Sequence, residues 1–483
     1  MSNGTAKAAS PAALTPDICV VGGGAGGIAL ATAAAAFGVS VVLVEKGRLG
    51  GDSGPLVTRA LVEAAAAAQA MREASQLGLK AELPQTSQAE LREHIRRVLA
   101  ADAANCAAER LAALGIRIIR GEARFASRST VMVDGQPIKA RRFVLATGTC
   151  PQPPELPGHM TVPVLDMEDL PGLAHLPERP VILGSNATAV AIAQALHRLG
   201  GGATLVAQER LLPEHDDEAA TMVRRRLLRE GLVLHEGSQP IRAERSRGGL
   251  RLFLAEATGE AVVDGTHLLA IGAPRPEIAE LDLELAGIRH DAGGILVDKG
   301  LRTTNRRVYA IGGCAGGTAK ADAGQAGDDH AGQVLRSILF RLPARIEPSN
   351  APRVAWCRPE IAAIGLAEDA ARARTGALQV LRWPFAEASG ARAAGEAEGF
   401  VKLLADRKGR ILGVTIVGES AGELIAPWCV AAKAGMTIPQ MAGVVVPALA
   451  RADASRRAAL SSYTPATTSP FLRRLIGFLR RFG

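Results

Sequence analysis

The chain has 483 residues, of which 48% are hydrophobic and only 3% aromatic, and a formal net charge of +8. That length holds roughly three domains and a large core, and because Arg473, Arg474, Arg480 and Arg481 carry half the charge near the C-terminus, the nearly balanced body argues against nucleic-acid binding. Cysteines at 19, 106, 150, 314, 357 and 429 show no C-x-x-C or zinc-like spacing, so neither a disulfide framework nor a metal site is expected, the compartment reads as reducing and cytoplasmic, and no apolar run is long enough to span a bilayer.

Residues 1–15 are small and polar and read as a disordered tail. The strongest signal follows: Asp17-Ile-Cys-Val-Val-Gly-Gly-Gly-Ala-Gly-Gly, closing with Ser40-Val-Val-Leu-Val-Glu45. This is strand, glycine turn, helix, strand and acid. Gly22 permits the tight turn, Gly24 lets a pyrophosphate approach the backbone, and Gly27 lets helix and strand pack closely. The helix N-terminus offers free N–H groups to a diphosphate, and Glu45 stands where an acid accepts hydrogen bonds from a ribose.

Two alanine-rich helices are expected over 55–79 and 85–114, then strands over 115–121, 130–135 and 142–148. The Pro-rich stretch 151–158 reads as a domain boundary. A second strand–turn–helix unit begins at Pro180, its helix runs to Leu199, and Ala203–Ala207 is its next strand. Residues 301–314 return to the style of the first domain. From Arg353 onward, strands and helices suggest an α+β domain.

The two nucleotide units, the Ala146-Thr-Gly148 turn, the Tyr309-Ala-Ile-Gly segment and the C-terminal domain together resemble the pyridine nucleotide–disulfide oxidoreductases, mercuric reductase and dihydrolipoamide dehydrogenase among them. The specific pieces are Gly121-Glu-Ala-Arg-Phe, Arg358-Pro-Glu-Ile-Ala-Ala-Ile-Gly-Leu, Gly395-Glu-Ala-Glu-Gly-Phe-Val-Lys, and Ile411-Leu-Gly-Val-Thr-Ile-Val-Gly with Ala421-Gly-Glu-Leu-Ile. The resemblance implies an α/β fold of two Rossmann-like dinucleotide-binding domains, for FAD and NAD(P), and a C-terminal α+β dimerisation domain forming a homodimer. The expected organisation is an FAD domain over 16–155 and 293–345, an NAD(P) domain over 156–292, a dimerisation domain over 346–465 and a basic amphipathic tail over 466–483. It implies FAD contacts from Gly22, Gly24, Gly27, Glu45, Lys46, Gly51, Ala123 (through its backbone), Thr147, Gly148 and Gly313.

The chain departs from the family at its chemistry. Members carry two cysteines after a Gly-Gly pair, whereas here Gly50-Gly51 is followed by Asp-Ser-Gly-Pro, and no cysteine lies between Cys19 and Cys106. Disulfide exchange needs a thiolate attacking sulfur. Pro55 suits the first helical position instead, with Asp52 or Ser53 as its cap. The family's C-terminal His-Pro is also missing: no histidine follows His330, and Asp453 is the acid that stands in for the accompanying Glu. The family's Gly-Asp, whose acid holds the FAD ribityl chain, is Gly312-Gly313. Cys314 follows, read either as a thiolate at a helix start near the flavin or as a packed core residue. Arg59 replaces a family lysine beside the flavin, either as a cation stabilising reduced flavin or as a solvated helix residue.

In the second unit Gly184, Asn186 and Ala189 take the three glycine positions, and Ala191 replaces a family glutamate. Asn186 brings a side chain where backbone should approach phosphate. Gln208 and Arg210 follow the next strand where an acid would select NAD, so NADP is favoured over NAD; the other reading is a scaffold that binds no nucleotide. Arg275 follows the pattern of an arginine between the two nucleotide domains. In the tail, Phe471, Leu472, Leu475, Ile476, Leu479 and Phe482 fall at helical spacing with arginine pairs elsewhere on the turn. That pattern suits an anionic membrane surface, as a peripheral protein on the inner face, or packing on the chain's own dimer.

Together these features lead to an FAD-dependent NAD(P)H oxidoreductase acting on a small acceptor without disulfide chemistry, with transhydrogenase-like activity as a further reading. The rival reading is a non-catalytic FAD-binding member that serves as a binding or membrane-associated partner.

Overall fold

A computed structural model describes residues 11–152, 156–257, 259–316, 323–343, 346, 351–464 and 469–482. The chain divides into two compact units, one built from residues up to 57, 92–153 and 273–348, the other from 58–91, 154–272 and 349–483.

The first unit is built on β1 (Ile18–Val21), α1 (Ala25–Ala36), β2 (Val41–Glu45), β3 (Ile116–Arg120) and β4 (Arg142–Leu145). With the strand Val308–Ala310 these make a five-stranded sheet in the order Val308–Ala310, β4, β1, β2, β3, and every pairing is parallel. Parallel strands are covered on both faces, which is why β1 and β2 are unbroken apolar runs. Alternation sends Ile18 and Val20 into a core cluster with Leu30 and Tyr309, and Cys19 and Val21 into another with Phe125 and Phe143. Small residues let α1 come close to the helix Ala323–Phe340: a Cβ on Gly26 would stand 2.9 Å from the Gly327 backbone.

In the second unit β5 (Pro180–Leu183), α2 (Ala187–Arg198), β6 (Thr204–Ala207) and β7 (His267–Ala270) repeat the plan. The sheet order is Val233–Glu236, β6, β5, β7, Val164–Leu165, again all parallel. The same unit contains a five-stranded antiparallel sheet over 353–418, ordered Arg353–Ala355, Glu360–Gly365, Ile411–Gly418, Phe400–Ala405, Gln379–Pro384. The α/β class and the α+β C-terminal region expected from sequence are both present.

Local expectations fare unevenly. Leu14, expected in a disordered tail, pairs with Ile138 and packs its side chain on the core; residues 1–10 lie outside the described residues. The helix expected over 55–79 spans Gly54–Glu73 and a short 3₁₀ turn Ala74–Leu77, closed by Gly78 in the left-handed region. The one expected over 85–114 is two helices, Gln88–Asn105 and Ala108–Ala113. It breaks at Cys106, whose sulfur would stand 3.3 Å from a Cβ on Gly50. The proposed boundary over 151–158 and the junction to the tail fall partly on residues 153–155 and 465–468, outside the described residues.

Candidate functional site

In the first unit the expected residues converge at the carboxyl ends of β1, β2 and β4, the place where open parallel sheets take their ligands. Gly22, at φ +107°, abuts the Ala146–Thr147 backbone, and a Cβ there would meet the Ala146 oxygen at 2.3 Å. A Cβ on Gly27 would lie 2.0 Å from the Gly22 oxygen. Both positions therefore exclude any side chain. Gly24 differs: its φ of −74° suits any residue, and the nearest atom to an added Cβ is the Gly51 Cα at 4.0 Å. Its glycine is dispensable to the fold and leaves space above the turn.

Gly50 donates to the Gly23 oxygen at 2.8 Å, which lays the Gly50–Gly51 loop beside that turn. Glu45 braces the other side, accepting from the amides of Gly23 and Gly47. Its expected role toward a ribose is thus shared with a structural one, although each carboxylate oxygen keeps a second lone pair. Helix α1 starts at Gly24 with no side-chain cap and no acid in its first turn. A bare N-terminus above a glycine turn is a receptive anion site. These residues fit the diphosphate of FAD.

Around this centre, the Thr147 hydroxyl oxygen is buried beside the Cys314 thiol, and Gly148 takes φ +72°. Ala123 is buried in an antiparallel strand opposite Val133. Lys46 is drawn to Glu277 at 2.6 Å and Glu280 at 3.6 Å, and Glu277 chiefly raises its pKa. Arg275 donates to the Cys150 sulfur at 3.4 Å on a two-strand ladder. Gly312, at φ +67°, donates to His330 Nδ1 at 3.2 Å, and Gly313 sits in the same 3₁₀ turn.

Cys314 and Arg59, each with two readings, and the stand-in acid Asp453 have the following surroundings. Cys314 is fully buried and donates to the oxygens of Ile311 and Leu145; burial pushes its pKa up, so the core reading holds and the thiolate does not. Arg59, in the second unit, is no free solvated cation: it pairs with Glu63 at 2.8 Å, lies 3.8 Å from the buried Glu360, and stacks on Trp356 at 4.0 Å. Asp453 pairs with Arg457 and Arg456, which hold its carboxyl below the usual range. The start of the helix after Gly51 is as expected: Asp52 accepts from the Gly54 amide at 2.7 Å, although Pro55 takes the second helical position rather than the first.

The second nucleotide unit has the same frame with a different occupant. Gly184 is indispensable, since a Cβ would meet the Ile271 oxygen at 2.3 Å. Asn186 does not project into ligand space. Its Oδ1 accepts from the Ala189 amide at 3.0 Å and its Nδ2 donates to the Ile271 oxygen at 3.1 Å. Arg210 is turned into its own loop, donating to the oxygens of Pro213 (2.9 Å) and His215 (3.2 Å) and pairing with Asp217 (2.9 Å). The guanidinium expected to face a 2′-phosphate is spent, because that loop leaves carbonyls for it to satisfy. Gln208 is exposed, and its backbone oxygen accepts from the Gln239 side-chain amide. Sequence reasoning missed Glu214, whose carboxylate accepts from the Ala187 amide at 3.3 Å, and Glu209, which accepts from the Ser185 hydroxyl at 3.1 Å. No local spacing announces either; the acid-rich stretch after Pro213 reads only as the opening of the next helix.

Comparison with known proteins places this geometry. The family model described as "Pyridine nucleotide-disulphide oxidoreductase" matches residues 16–327, and its "dimerisation domain" matches 351–459. The chain is 31% identical over 456 residues to a dihydrolipoyl dehydrogenase of Thermus scotoductus, covering 90% of this chain and 94% of the relative. It is 30% identical over 454 residues to a mercuric reductase of Streptomyces lividans, covering 92% and 95%. The crystal structure of LpdA from Mycobacterium tuberculosis shares the fold, with a TM-score of 0.82 at 22% identity over 92% of this chain and 99% of that one. Frame, receptive first site and relatives agree: the chain belongs to the pyridine nucleotide–disulphide oxidoreductase family.

Proposed function

We propose that this protein is an FAD-dependent oxidoreductase that takes hydride from NADH or NADPH and passes it to a small diffusible acceptor without a redox disulfide. The acceptor class is a quinone, a dye-like compound, oxygen or a second nicotinamide, the last being a transhydrogenase-like reaction. Bound at the first site, FAD supplies the group that takes up and releases the hydride. The chain's part is to hold the diphosphate on the α1 N-terminus, leave room over Gly24, and brace the glycine turn through Glu45.

One observation carries the absence of disulfide chemistry. The segment after Gly50-Gly51 has no sulfur, and Asp52 caps the helix there. All six cysteines are free, with Cys19, Cys314 and Cys357 buried. The free thiols also support a reducing, cytoplasmic setting, and the match to the dimerisation domain supports a homodimer. With Arg210 engaged in its loop, the preference for NADP loses its support, and either nicotinamide nucleotide is taken as donor.

A second reading, a non-catalytic FAD-binding partner, is favoured by the internal oxygens on the α2 N-terminus. Anaerobic titration separates the two. Rapid bleaching of the flavin absorbance by NADH or NADPH is expected; an unchanged oxidised spectrum would leave the second reading. The tail supplies a separate reading, attachment to an anionic membrane surface, supported by a helix at Pro470–Leu479 whose apolar side chains are exposed.

A further inference from the structure

We propose that Glu214 is an internal plug of the second nucleotide site, its carboxylate standing where the phosphate of a dinucleotide has to dock. The proposal rests on the reading of the chain as a nicotinamide-dependent flavoprotein and names the residue that sets how well the donor binds.

The α2 N-terminus is the anion-attracting end of a twelve-residue helix. Two of its first amides are already spent on internal oxygens: Ala187 on Glu214 at 3.3 Å and Ala189 on Asn186 at 3.0 Å. Asn186 also ties the turn to the Ile271 and Gly272 oxygens, at 3.1 and 3.4 Å. Helix α1, built on the same plan, has no side-chain cap and no acid in its first turn, and the carboxylate beside it, Glu45, takes the Gly23 amide before the helix.

The loop that delivers Glu214 is constructed rather than loose. Leu212 is fully buried at φ +55°, and its amide donates to the Ser185 oxygen at 2.7 Å. Leu211 is buried, its amide held by Glu236 at 2.9 Å. Arg210 fastens the loop's carbonyls, and His215 is buried beneath it. The backbone therefore stays, while the Glu214 side chain, 39% exposed with its Oε1 3.9 Å from His215 Nε2, has solvent on one side into which to swing. An incoming diphosphate must displace it and approach against its negative charge. Exchanging one charge-assisted bond for another leaves the donor about ten- to a hundredfold short of the affinity an open turn would give, with partial exposure setting the effect at the lower end.

The test is equilibrium dialysis of the purified full-length flavoprotein with NAD⁺ and NADP⁺, comparing wild type with Glu214→Ala, Glu214→Gln and Glu209→Ala, each checked by circular dichroism. Glu214→Ala is expected to tighten binding about tenfold. Glu214→Gln, which keeps an acceptor oxygen but no charge, should fall between it and wild type. Glu209→Ala should change little, since its carboxylate sits on a side-chain hydroxyl. Unchanged or weaker binding in both Glu214 variants overturns the plug alone. Equal tightening by Glu209→Ala overturns it too, since the effect would then be the field of the acids and not occupancy of the amide. Absence of binding in all four proteins overturns the plug and the donor reading together.

Discussion

Gly24 and Asn186 hold the same station, the residue before the helix in each of the two strand–turn–helix units, and only Asn186 closes its helix with a side chain. The sheets, strand order and parallel pairing are repeated around them. What separates the units is who satisfies the first amides. In the first no described side chain caps them, and in the second Glu214 and Asn186 accept from two of them. A shared fold thus carries one receptive site and one that competes with its own side chains.

The receptive site makes a prediction that separates binding from folding. At Gly24 a methyl group meets no protein atom nearer than 4.0 Å, and the backbone is already in a common conformation. Gly24→Ala should fold with an unchanged circular dichroism spectrum but lose FAD affinity by at least tenfold, because the methyl stands where the diphosphate approaches. Gly27→Ala, whose Cβ would lie 2.0 Å from the Gly22 oxygen, should lose stability as well as flavin. Equal flavin content in wild type and Gly24→Ala would refute this placement of the cofactor.

Thiol counting tests the absence of disulfide chemistry. Burial pushes Cys19 and Cys357 up to about 12 and raises Cys314 as well, leaving Cys106, Cys150 and Cys429 as the partly accessible thiols. A thiol reagent should modify at most three cysteines in the folded protein and six after denaturation. The folded count should be the same before and after anaerobic NADPH. A gain of two thiols on reduction would mean a redox disulfide and sink the proposal.

The sequence reveals what is local and periodic. The first unit is contiguous, so its glycines, its strands and Glu45 can be read directly, and unbroken apolar runs identify buried parallel strands. What stays hidden is what the chain brings together from afar. Glu214 reaches an amide 27 residues back. Arg59 finds Trp356 and Glu360 from a different part of the chain. Composition alone does not show that Arg210 would satisfy its own loop's carbonyls rather than a ligand, since an arginine serves either purpose. The break at Cys106 falls where its sulfur packs against the Gly50 loop, a contact made across the sequence.

The Arg59 cluster is expected to be structural. Glu360 is 2% exposed, accepts from Arg358, and takes the Gly422 amide at 2.9 Å. Glu360→Gln strands part of the Arg358 charge, although Glu419 at 3.0 Å and Glu63 at 3.3 Å still face it. The loss should be about 3 kcal/mol, the low end for breaking a buried pair. Arg59→Ala, at a partly exposed site, should lose only about 1 kcal/mol, mostly the stacking on Trp356. Tryptophan-fluorescence melts of the two variants check the ranking, and a larger loss in Arg59→Ala than in Glu360→Gln would reverse it.

His215 gives the protein an acid-sensitive element. Burial, with Arg353 and Arg210 nearby, lowers its pKa from 6.5 to about 4. Between those values the unfolded chain takes up a proton that the folded one refuses, so stability rises with pH there. The contribution is complete above pH 6.5 and is lost as pH falls toward 4, by at most about 3 kcal/mol. His215→Leu should flatten that part of the stability curve relative to wild type. Parallel curves for the two proteins between pH 7 and 4.5 would show that His215 carries no such load.

The tail prediction turns on what covers an amphipathic helix. Ser469 caps Pro470–Leu479, and Phe471, Ile476 and Leu479 are each more than half exposed. Four arginines accompany them with no acid, each worth about 1 kcal/mol near an anionic lipid surface. The full-length protein should therefore float with phosphatidylglycerol vesicles, release at high salt as its charges are screened, and lose flotation when truncated after Thr464. Equal flotation of both forms would remove the tail as the anchor. If neither floats and truncation instead weakens the dimer on size-exclusion chromatography, the apolar face is covered by the chain's own partner copy.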